Sequence, residues 1–263
     1  MEDNKFRFIL LTVAAVIIIP VLNAVYGIIP ALITAVLVIA AIVFLIVMLK
    51  KHPAKKTIEE TELSSDITSI MIEAKGRNYV LAPGSGFLLE DSAQGPMMTF
   101  VEDGVWHIAD NGDRLNTPVE VTVPADFAPK ELTMIVTGGN IVSSIQSADR
   151  AHIDVHTGSA DVRGLRTDSL QASVGSGALC FEGAAAVDVK LLCGMGTLDA
   201  RLRNSEDYFN IEASCGLGSL VVGSESFGSE RRVGSIDNGS NYSMEVSVGM
   251  GSAKISFGEE QEV

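Results

Sequence analysis

The stretch "LQASVGSGALCF", residues 170–181, contains the pattern from which the fold can be predicted. Apolar residues stand at every second position before its glycines and again after them, and the residues between them, such as Gln171 and Ser173, are polar. A period of two is typical of a β-strand, because successive side chains point to opposite faces. Gly175 and Gly177 therefore indicate a turn between two strands, unless they form the phosphate-binding loop that spaced glycines can also make.

The same pattern recurs along the acidic part of the chain. The first three steps between aligned glycines are 19 residues each, and the last two, of 22 and 33 residues, contain insertions. One strand–turn–strand unit cannot bury its own apolar face, but stacked units bury a continuous core. The sequence therefore predicts an all-β, right-handed parallel β-solenoid of six coils. The aligned turn glycines are Gly139, Gly158, Gly177, Gly196, Gly218 and Gly251.

A different segment runs from Phe8 to Leu49, 42 residues without a charge. As one helix it would measure about 63 Å, twice the roughly 30 Å of a bilayer core. Asn23, Gly27 and Pro30 cluster at its middle and favour a break. The sequence therefore predicts a transmembrane hairpin of two helices that contacts lipid along Phe8–Leu49. A cleaved signal peptide is the alternative, but its apolar core would be shorter.

The charges around this segment predict an orientation. Lys5 and Arg7 precede it and four lysines follow within residues 50–56. Basic flanks favour the cytoplasmic side, so we expect a two-span protein of the cell membrane with its β-domain in the cytoplasm, an extracytoplasmic domain being the alternative. Residues 57–263 carry a net charge of −18, because residues 1–56 contribute +4 to the chain total of −14. This charge disfavours nucleic acid as a partner.

These patterns divide the chain into six segments. The strand-rich part before the 19-residue repeat is interpreted as the beginning of the same β-domain. The predicted segments are a basic tail (1–7), the hairpin (8–49), a polar linker (50–64), the first strand-rich part (65–130), the six coils (131–258, with an insertion around 223–242) and an acidic tail (259–263).

The β-domain also resembles a known family. The segments "DGVWHIAD", "VEVTVPADF", "LTMIVTGGNIV" and "IDVHTGSADV" look like those of the bacterial putative-adhesin family of unknown function. The resemblance covers roughly residues 65–257 and rests on glycines that follow alternating strands. It implies a β-solenoid, often tethered to a membrane, and it implies no catalytic residues. The adhesin label implies an exterior location, which is the opposite of the orientation that the charges predict.

The glycine pairs are the first chemical candidates. They recur at 175–177, 194–196, 216–218 and 249–251, and an alternating strand follows each of them. A phosphate loop needs backbone N–H groups that converge at the start of a helix. We therefore interpret the pairs as stacked turns rather than as a nucleotide site, and we predict no cofactor.

A metal site is the second candidate, on the outward side of one strand. His152, Asp154 and His156 occupy alternate positions there, and histidine and aspartate side chains often bind metals. Residues four apart on a strand are about 13 Å apart, too far for His152 and His156 to share one ion. The sequence therefore predicts a solvated face and no metal.

The three cysteines and several acidic residues complete the candidates. Cys193 and Cys215 fall on the same inward position of consecutive coils, within disulfide range, although valine at that position in other coils favours free thiols in the core. Cys180 is expected to face outward. Asp110, with Asp103 and Asp113 nearby, is interpreted as part of a turn that could bind a cation only weakly.

No arrangement of Ser, His and Asp or of Cys and His can be placed in space from this pattern, so the sequence predicts a non-enzymatic protein. We expect a membrane-anchored scaffold or protein-interaction module, whose protein partner the sequence does not identify and which could self-associate through the ends of the solenoid. The alternatives are a sensor or regulator of envelope state and an exported, adhesin-like surface protein.

Overall fold

The computed structural model describes residues 67–93, 95–228 and 232–258, which belong to the compact unit Glu59–Val263. These residues form 18 strands and one 3₁₀ turn, Glu206–Tyr208. The strands are β1 (Ser69–Ala74), β2 (Asn78–Gly84), β3 (Leu88–Asp91), β4 (Met97–Glu102), β5 (Val105–Asp110), β6 (Val119–Pro124), β7 (Glu131–Val136), β8 (Asn140–Ser143), β9 (Ser147–Val155), β10 (Ser159–Val174), β11 (Ala178–Cys193), β12 (Thr197–Leu202), β13 (Asn210–Cys215), β14 (Ser219–Val222), β15 (Glu225–Phe227), β16 (Val233–Ile236), β17 (Ser243–Val248) and β18 (Ser252–Phe257).

Most of the strands lie in two parallel ladders, which we call the first face and the second face. In spatial order the first face is β5, β1, β7, β9, β10, β11, β17 and β13. The second face is β6, β2, β8, β10, β11, β12, β18 and β14. Strands β10 and β11 belong to both faces, and irregularities near Gly164 and Asp168 interrupt the register between them. Each rung of the stack is one strand of each face.

The core lies between the two faces, where the alternating apolar residues point. One column of the first face shows the register, since its six members pair with one another from strand to strand and are all at most 3% exposed. Burying a side chain of this kind contributes about 1.5–3 kcal/mol. The described residues are all-β, as the period of two predicts. In spatial order the column is Val136, Val155, Val174, Cys193, Val248 and Cys215.

The rungs do not stack in chain order. The last segment, β17 and β18, lies between the rung of β11 and β12 and the rung of β13 and β14. The first segment, β1 and β2, likewise lies between the rung of β5 and β6 and the rung of β7 and β8. Each terminal segment therefore forms the second rung from its end, with backbone hydrogen bonds on both sides.

The sheet is mixed, so the prediction of a wholly parallel solenoid is wrong. At one end β4 pairs with β5 and β3 with β6, and at the other end β16 pairs with β13 and β15 with β14, all four pairs antiparallel. The physical reason is that an end rung leaves a row of unpaired N–H and C=O groups. At each end two short antiparallel strands cover that row without a further coil. The expected insertion around 223–242 contains two of these capping strands.

The prediction of a transmembrane hairpin is also corrected. Within residues 67–93, 95–228 and 232–258, no helix is long and apolar enough to span a bilayer. The described part of the chain is all-β and contains none of the predicted two-helix hairpin, on which the two-span location in the cell membrane and the cytoplasmic β-domain depended. The prediction rested on an uncharged run and its basic flanks, and Phe8–Leu49 lies outside the described residues.

Candidate functional site

The turns that join the first face to the second lie one above another, and we call them the turn edge. Their peptide groups form a ladder of their own: the N–H of Thr197 donates to the carbonyl of Gly177 at 3.0 Å, as the N–H of Ala178 does to that of Gly158. In spatial order the tight turns are residues 75–77, 137–139, 156–158, 175–177, 194–196, 249–251 and 216–218.

All six aligned glycines lie on this edge, and close stacking explains them. A Cβ on Gly196 would lie 2.2 Å from the carbonyl oxygen of Gly177, and one on Gly158 would lie 2.2 Å from that of Gly139. Of the six, Gly139 and Gly158 have positive φ, 78° and 91°. The glycine pairs thus pack against the neighbouring turns. A strand follows each of them, whereas a phosphate loop would need a helix there.

A polar cleft of about 540 Å³ lies on the first part of the turn edge. Its sides are the loop 114–116, the turn residues 75–78 and the turns 137–140 and 157–158. Among its lining residues only Lys75 and Arg114 are ionisable, and both are basic, while Leu115 supplies the only large apolar side chain. The volume lies within the range of about 300–1,000 Å³ that is usual for small-molecule sites.

A buried carboxylate holds the wall of the cleft. Asp110, at the end of β5, is 3% exposed and accepts three hydrogen bonds. They come from the backbone N–H of Lys75 at 2.9 Å, the backbone N–H of Gly112 at 2.7 Å and the hydroxyl of Tyr79 at 3.2 Å. Asp110 is therefore fully engaged in joining the loop to the turn, which explains the "DNGD" signal without a cation. Burial, followed by the charge of Asp110, raises the pKa of Tyr79 far above its usual range.

An ion pair beneath the cleft fixes the same wall from below. Arg77 is fully buried and donates to both oxygens of Asp91, at 2.7 and 2.6 Å. Asp91 also accepts from the backbone N–H groups of Ala93 and Gly95. The hydrogen bonds from Arg77 hold the pKa of Asp91 below its usual range, against the opposing effect of partial burial. A bidentate pair of this kind has little freedom to move.

Three polar side chains form a ladder where the strands of the second face begin, and two of them, Asn78 and Asn140, line the floor of the cleft. Ser159 donates from its hydroxyl to the Oδ1 of Asn140 at 2.6 Å, and Asn140 donates from Nδ2 to the Oδ1 of Asn78 at 2.9 Å. The ladder uses the acceptors of both amides. It leaves the Nδ2 group of Asn78 without a partner within the described residues, so the floor ends in free donors.

The other part of the turn edge is apolar. At the middle position of successive turns, Thr157 and Ser176 give way to Met195, Met250 and Leu217. The last three side chains are 61%, 60% and 77% exposed. We call these three residues the apolar ridge; it ends beside the capping strand β16, whose Val233 is 75% exposed.

The residues of the predicted metal candidate do not form a metal site. His156 Nε2 lies 3.0 Å from Asp154 Oδ2, and Ser173 donates its hydroxyl to Asp154 Oδ1 at 2.5 Å. His152 and Asp154 lie on β9, whereas His156 follows its end and begins the turn 156–158. His152 takes no part in these contacts, and no group of three metal-ligating side chains occurs among the residues that the structure describes. Burial opposes the ionisation of Asp154, but the hydrogen bonds from Ser173 and His156 outweigh it and lower its pKa.

The same three residues do not form a nucleophilic triad, although they line an open depression of about 340 Å³. In a Ser-His-Asp triad the histidine stands between the other two residues and takes the proton of the serine. Here Asp154 stands in the middle and accepts from both Ser173 and His156. The contacts orient the carboxylate and leave the serine without a base.

The cysteines are all free, and their placement corrects one expectation. Cys193 and Cys215 are buried in one column, as the sequence indicates, but Val248 of the intervening rung lies between them. They are therefore not neighbours and cannot form the disulfide that consecutive coils would allow. Cys180 lies between Asp161 and Asp199 on the second face, where partial burial and then these carboxylates raise its pKa. A raised pKa opposes formation of a reactive thiolate.

The sequence did not predict the cleft, because its sides come from segments that lie far apart in the chain. The one signal was a basic residue beside a glycine–asparagine turn, found twice, in "KGRN" at 75–78 and in "NGDRLN" at 111–116. Without the stacking order these two turns have no reason to be placed together.

Comparisons with known proteins find weak similarity to solved structures. No family model and no curated protein matches the chain. A solved structure of a putative cell adhesion protein from Clostridium sporogenes ATCC 15579 is 14% identical, with a TM-score of 0.38, over 74% of this chain and 94% of that one. A putative adhesin from Bacteroides fragilis NCTC 9343 is 12% identical, with a TM-score of 0.33, over 73% and 93%. The similar structures are thus adhesin-like at low identity, and they do not support membrane tethering.

Proposed function

We propose that this chain is a non-catalytic binding module whose working surface is the turn edge. The observation that supports this function is the polar cleft beside Lys75 and Arg114, a concave site of ligand size on the turn edge. A binding site of this type needs a few well-placed polar groups on a rigid support. The lining of the cleft supplies donors and positive charge, and it contains no nucleophile with its base.

The support under the cleft favours binding with a small entropic cost. The loop is fixed by Asp110 at its beginning, and the backbone beneath it is fixed by Arg77 and Asp91. A ligand that enters such a site does not have to order the loop, which leaves more of the interaction energy as affinity. The cleft is therefore suited to a ligand held by hydrogen bonds and charge rather than by enclosure.

An adhesin-like role is the specific form of this proposal. An adhesin binds a molecule on another surface, and a stack that displays its ligand site along one open edge can meet such a molecule without closing around it. The names of the two similar solved structures are compatible with this role, which we infer from the cleft alone.

The experiment is a binding screen with the full chain, kept in solution by a mild non-ionic detergent because residues 8–49 carry no charge. The immobilised ligands are neutral glycans, acidic glycans and extracellular matrix proteins. We expect saturable binding to at least one of these classes, lost in the double variant K75Q/R114Q. The matched control is K190Q/K254Q, which removes the same charge from the two faces. Absence of binding to every class, or equal binding by both double variants, would contradict the proposal.

A second candidate function is self-association of two copies through the capped end beside the apolar ridge. The observation that favours it is the exposure of Leu217 and of Val233, which is the first residue of the short edge strand β16. Two identical edge strands related by a twofold axis pair antiparallel, so one surface can serve both copies. In such a dimer the apolar ridge of one copy would be covered by the apolar ridge of the other copy.

A further inference from the structure

We propose that the polar cleft binds an anionic sugar, that is, a ring with several hydroxyl groups and one carboxylate or phosphate group. This inference rests on the proposed binding function and adds the chemical class of the ligand. It is argued from the charge, the hydrogen-bonding groups and the shape of the cleft.

The charge of the cleft is opposite to that of the chain. The chain has 33 acidic and 19 basic residues, yet the lining of the cleft contains Lys75 and Arg114 and no carboxylate. Lys75 shares its charge with Glu73, whose carboxylate lies 2.9 Å from its Nζ. Arg114 is exposed and has no ion pair within residues 67–93, 95–228 and 232–258. A guanidinium in this state is suited to a bidentate contact with a carboxylate or a phosphate.

The remaining polar groups of the cleft suit a polyol. The Nδ2 group of Asn78 is a free donor at the end of the ladder. Asn116 adds an amide to the lining, and Thr157 adds a hydroxyl oxygen whose proton is donated to the carbonyl of Thr137. Hydroxyl groups of a sugar both donate and accept, so they can pair with all of these side chains. A bare inorganic anion would engage the basic residues and leave the amides without a role.

The shape and the lining exclude some other anions. The cleft has no aromatic side chain, and Leu115 is its only large apolar one, so it offers a nucleobase neither an aromatic ring nor a broad apolar face to stack on. Its volume of about 540 Å³ suits a ligand of small-molecule size or one group of a larger molecule. Among anionic ligands the cleft therefore favours a compact sugar acid or sugar phosphate over a nucleotide.

The experiment compares four probes on the full chain by saturation-transfer NMR and calorimetry. Glucose, glucuronate and glucose 6-phosphate share one ring and differ in charge at one carbon, and inorganic phosphate supplies charge alone. We expect glucuronate or glucose 6-phosphate to bind at least about tenfold more tightly than glucose and than phosphate. Tighter binding of glucuronate would indicate a carboxylated sugar as the ligand, and tighter binding of glucose 6-phosphate would indicate a phosphorylated one. Raising the salt concentration from 20 to 300 mM is expected to weaken the charged probes only.

Variants assign the binding to the proposed residues. R114Q is expected to weaken the charged sugar about 10- to 100-fold and to leave glucose unchanged, because it removes the charge and keeps the side chain polar. N78A is expected to weaken glucose and the charged sugar alike. K190Q, on the first face and paired with Glu245, is the control that leaves every affinity unchanged.

The outcomes separate this inference from the function on which it rests. If glucose binds as tightly as glucuronate and N78A abolishes both, the binding function stands and the anionic class is wrong. If no probe binds while K75Q/R114Q loses a protein ligand in the screen, the inference is again wrong and the function stands. If R114Q leaves the charged sugars unaffected, the cleft is not their site.

Discussion

The two ends of the stack share one topology and differ in chemistry. At each end a terminal segment forms the second rung, and two short antiparallel strands cover the last one. The end that contains β5 is held by buried polar contacts, Arg77 to Asp91 and Asp110 to Tyr79. The end that contains β13 exposes the apolar ridge instead. Backbone pairing therefore closes either end in the same way, while the side chains leave a polar cleft near one end and an exposed apolar ridge at the other.

The largest effect is expected at the polar end, from D91N. Arg77 is fully buried, so the variant leaves a charge without its partner, a change that typically costs about 3–5 kcal/mol. Urea unfolding of the full chain can be followed by the fluorescence of Trp106, the one tryptophan, which is buried on β5 at this end. The control is D161N, whose exposed pair with Arg163 is worth about 0–1 kcal/mol. Equal losses in the two variants would show that the buried pair does not hold this end.

The same pair predicts a dependence on pH. The pKa of Asp91 is lowered in the folded state, so its contribution to stability is complete above the usual carboxyl pKa of about 3.9 and is lost as the pH falls through the lower, folded-state pKa. Asn at this position does not titrate. The difference in unfolding free energy between the wild type and D91N is therefore expected to narrow as the pH falls toward 2. A difference that stays constant over this range would contradict the assignment.

A smaller effect is expected at the middle of the stack, where two glycines of one turn can be compared. A Cβ on Gly196 would lie 2.2 Å from the carbonyl oxygen of Gly177, whereas one on Gly194 would lie 3.1 Å from that of Gly175. G196A is therefore expected to cost about 1–3 kcal/mol through overpacking. G194A is expected to be close to neutral, because the smaller clash is offset by the lower entropy of the unfolded chain. Thermal unfolding followed by circular dichroism measures both, and equal midpoints would mean that the turns need not stack closely.

These results show which parts of the structure the sequence could predict. The inward column from Val136 to Cys215 was predictable because alternation is a local property of each strand. The order of the rungs was not, since β13 and β17 carry the same pattern and either can pair with β11 by that criterion. Only the packing of distant segments chooses between them. The prediction that Cys193 and Cys215 lie on consecutive coils was wrong for this reason.

The candidate site was less predictable than the fold for the same physical reason. Its two basic residues, Lys75 and Arg114, come from turns of neighbouring rungs that are nearly 40 positions apart in the chain. The glycine turns were visible in the sequence, but the cleft beside them depends on the loop that Asp110 attaches to the turn at Lys75. A short-range pattern contains no information about such a contact.

The smallest effect on folding, and the sharpest test of the apolar end, is expected from L217S. Leu217 is 77% exposed, so the variant should change the free energy of unfolding by no more than about 0.5 kcal/mol. If a second copy covers the ridge, the same variant removes an apolar contact from both sides of a twofold interface and should weaken self-association measured by sedimentation velocity. The matched control is V142S, an exposed position on the second face away from either end. A wild-type chain that stays monomeric at every concentration would exclude the contact, and a dimer that V142S weakens as much as L217S would place it elsewhere.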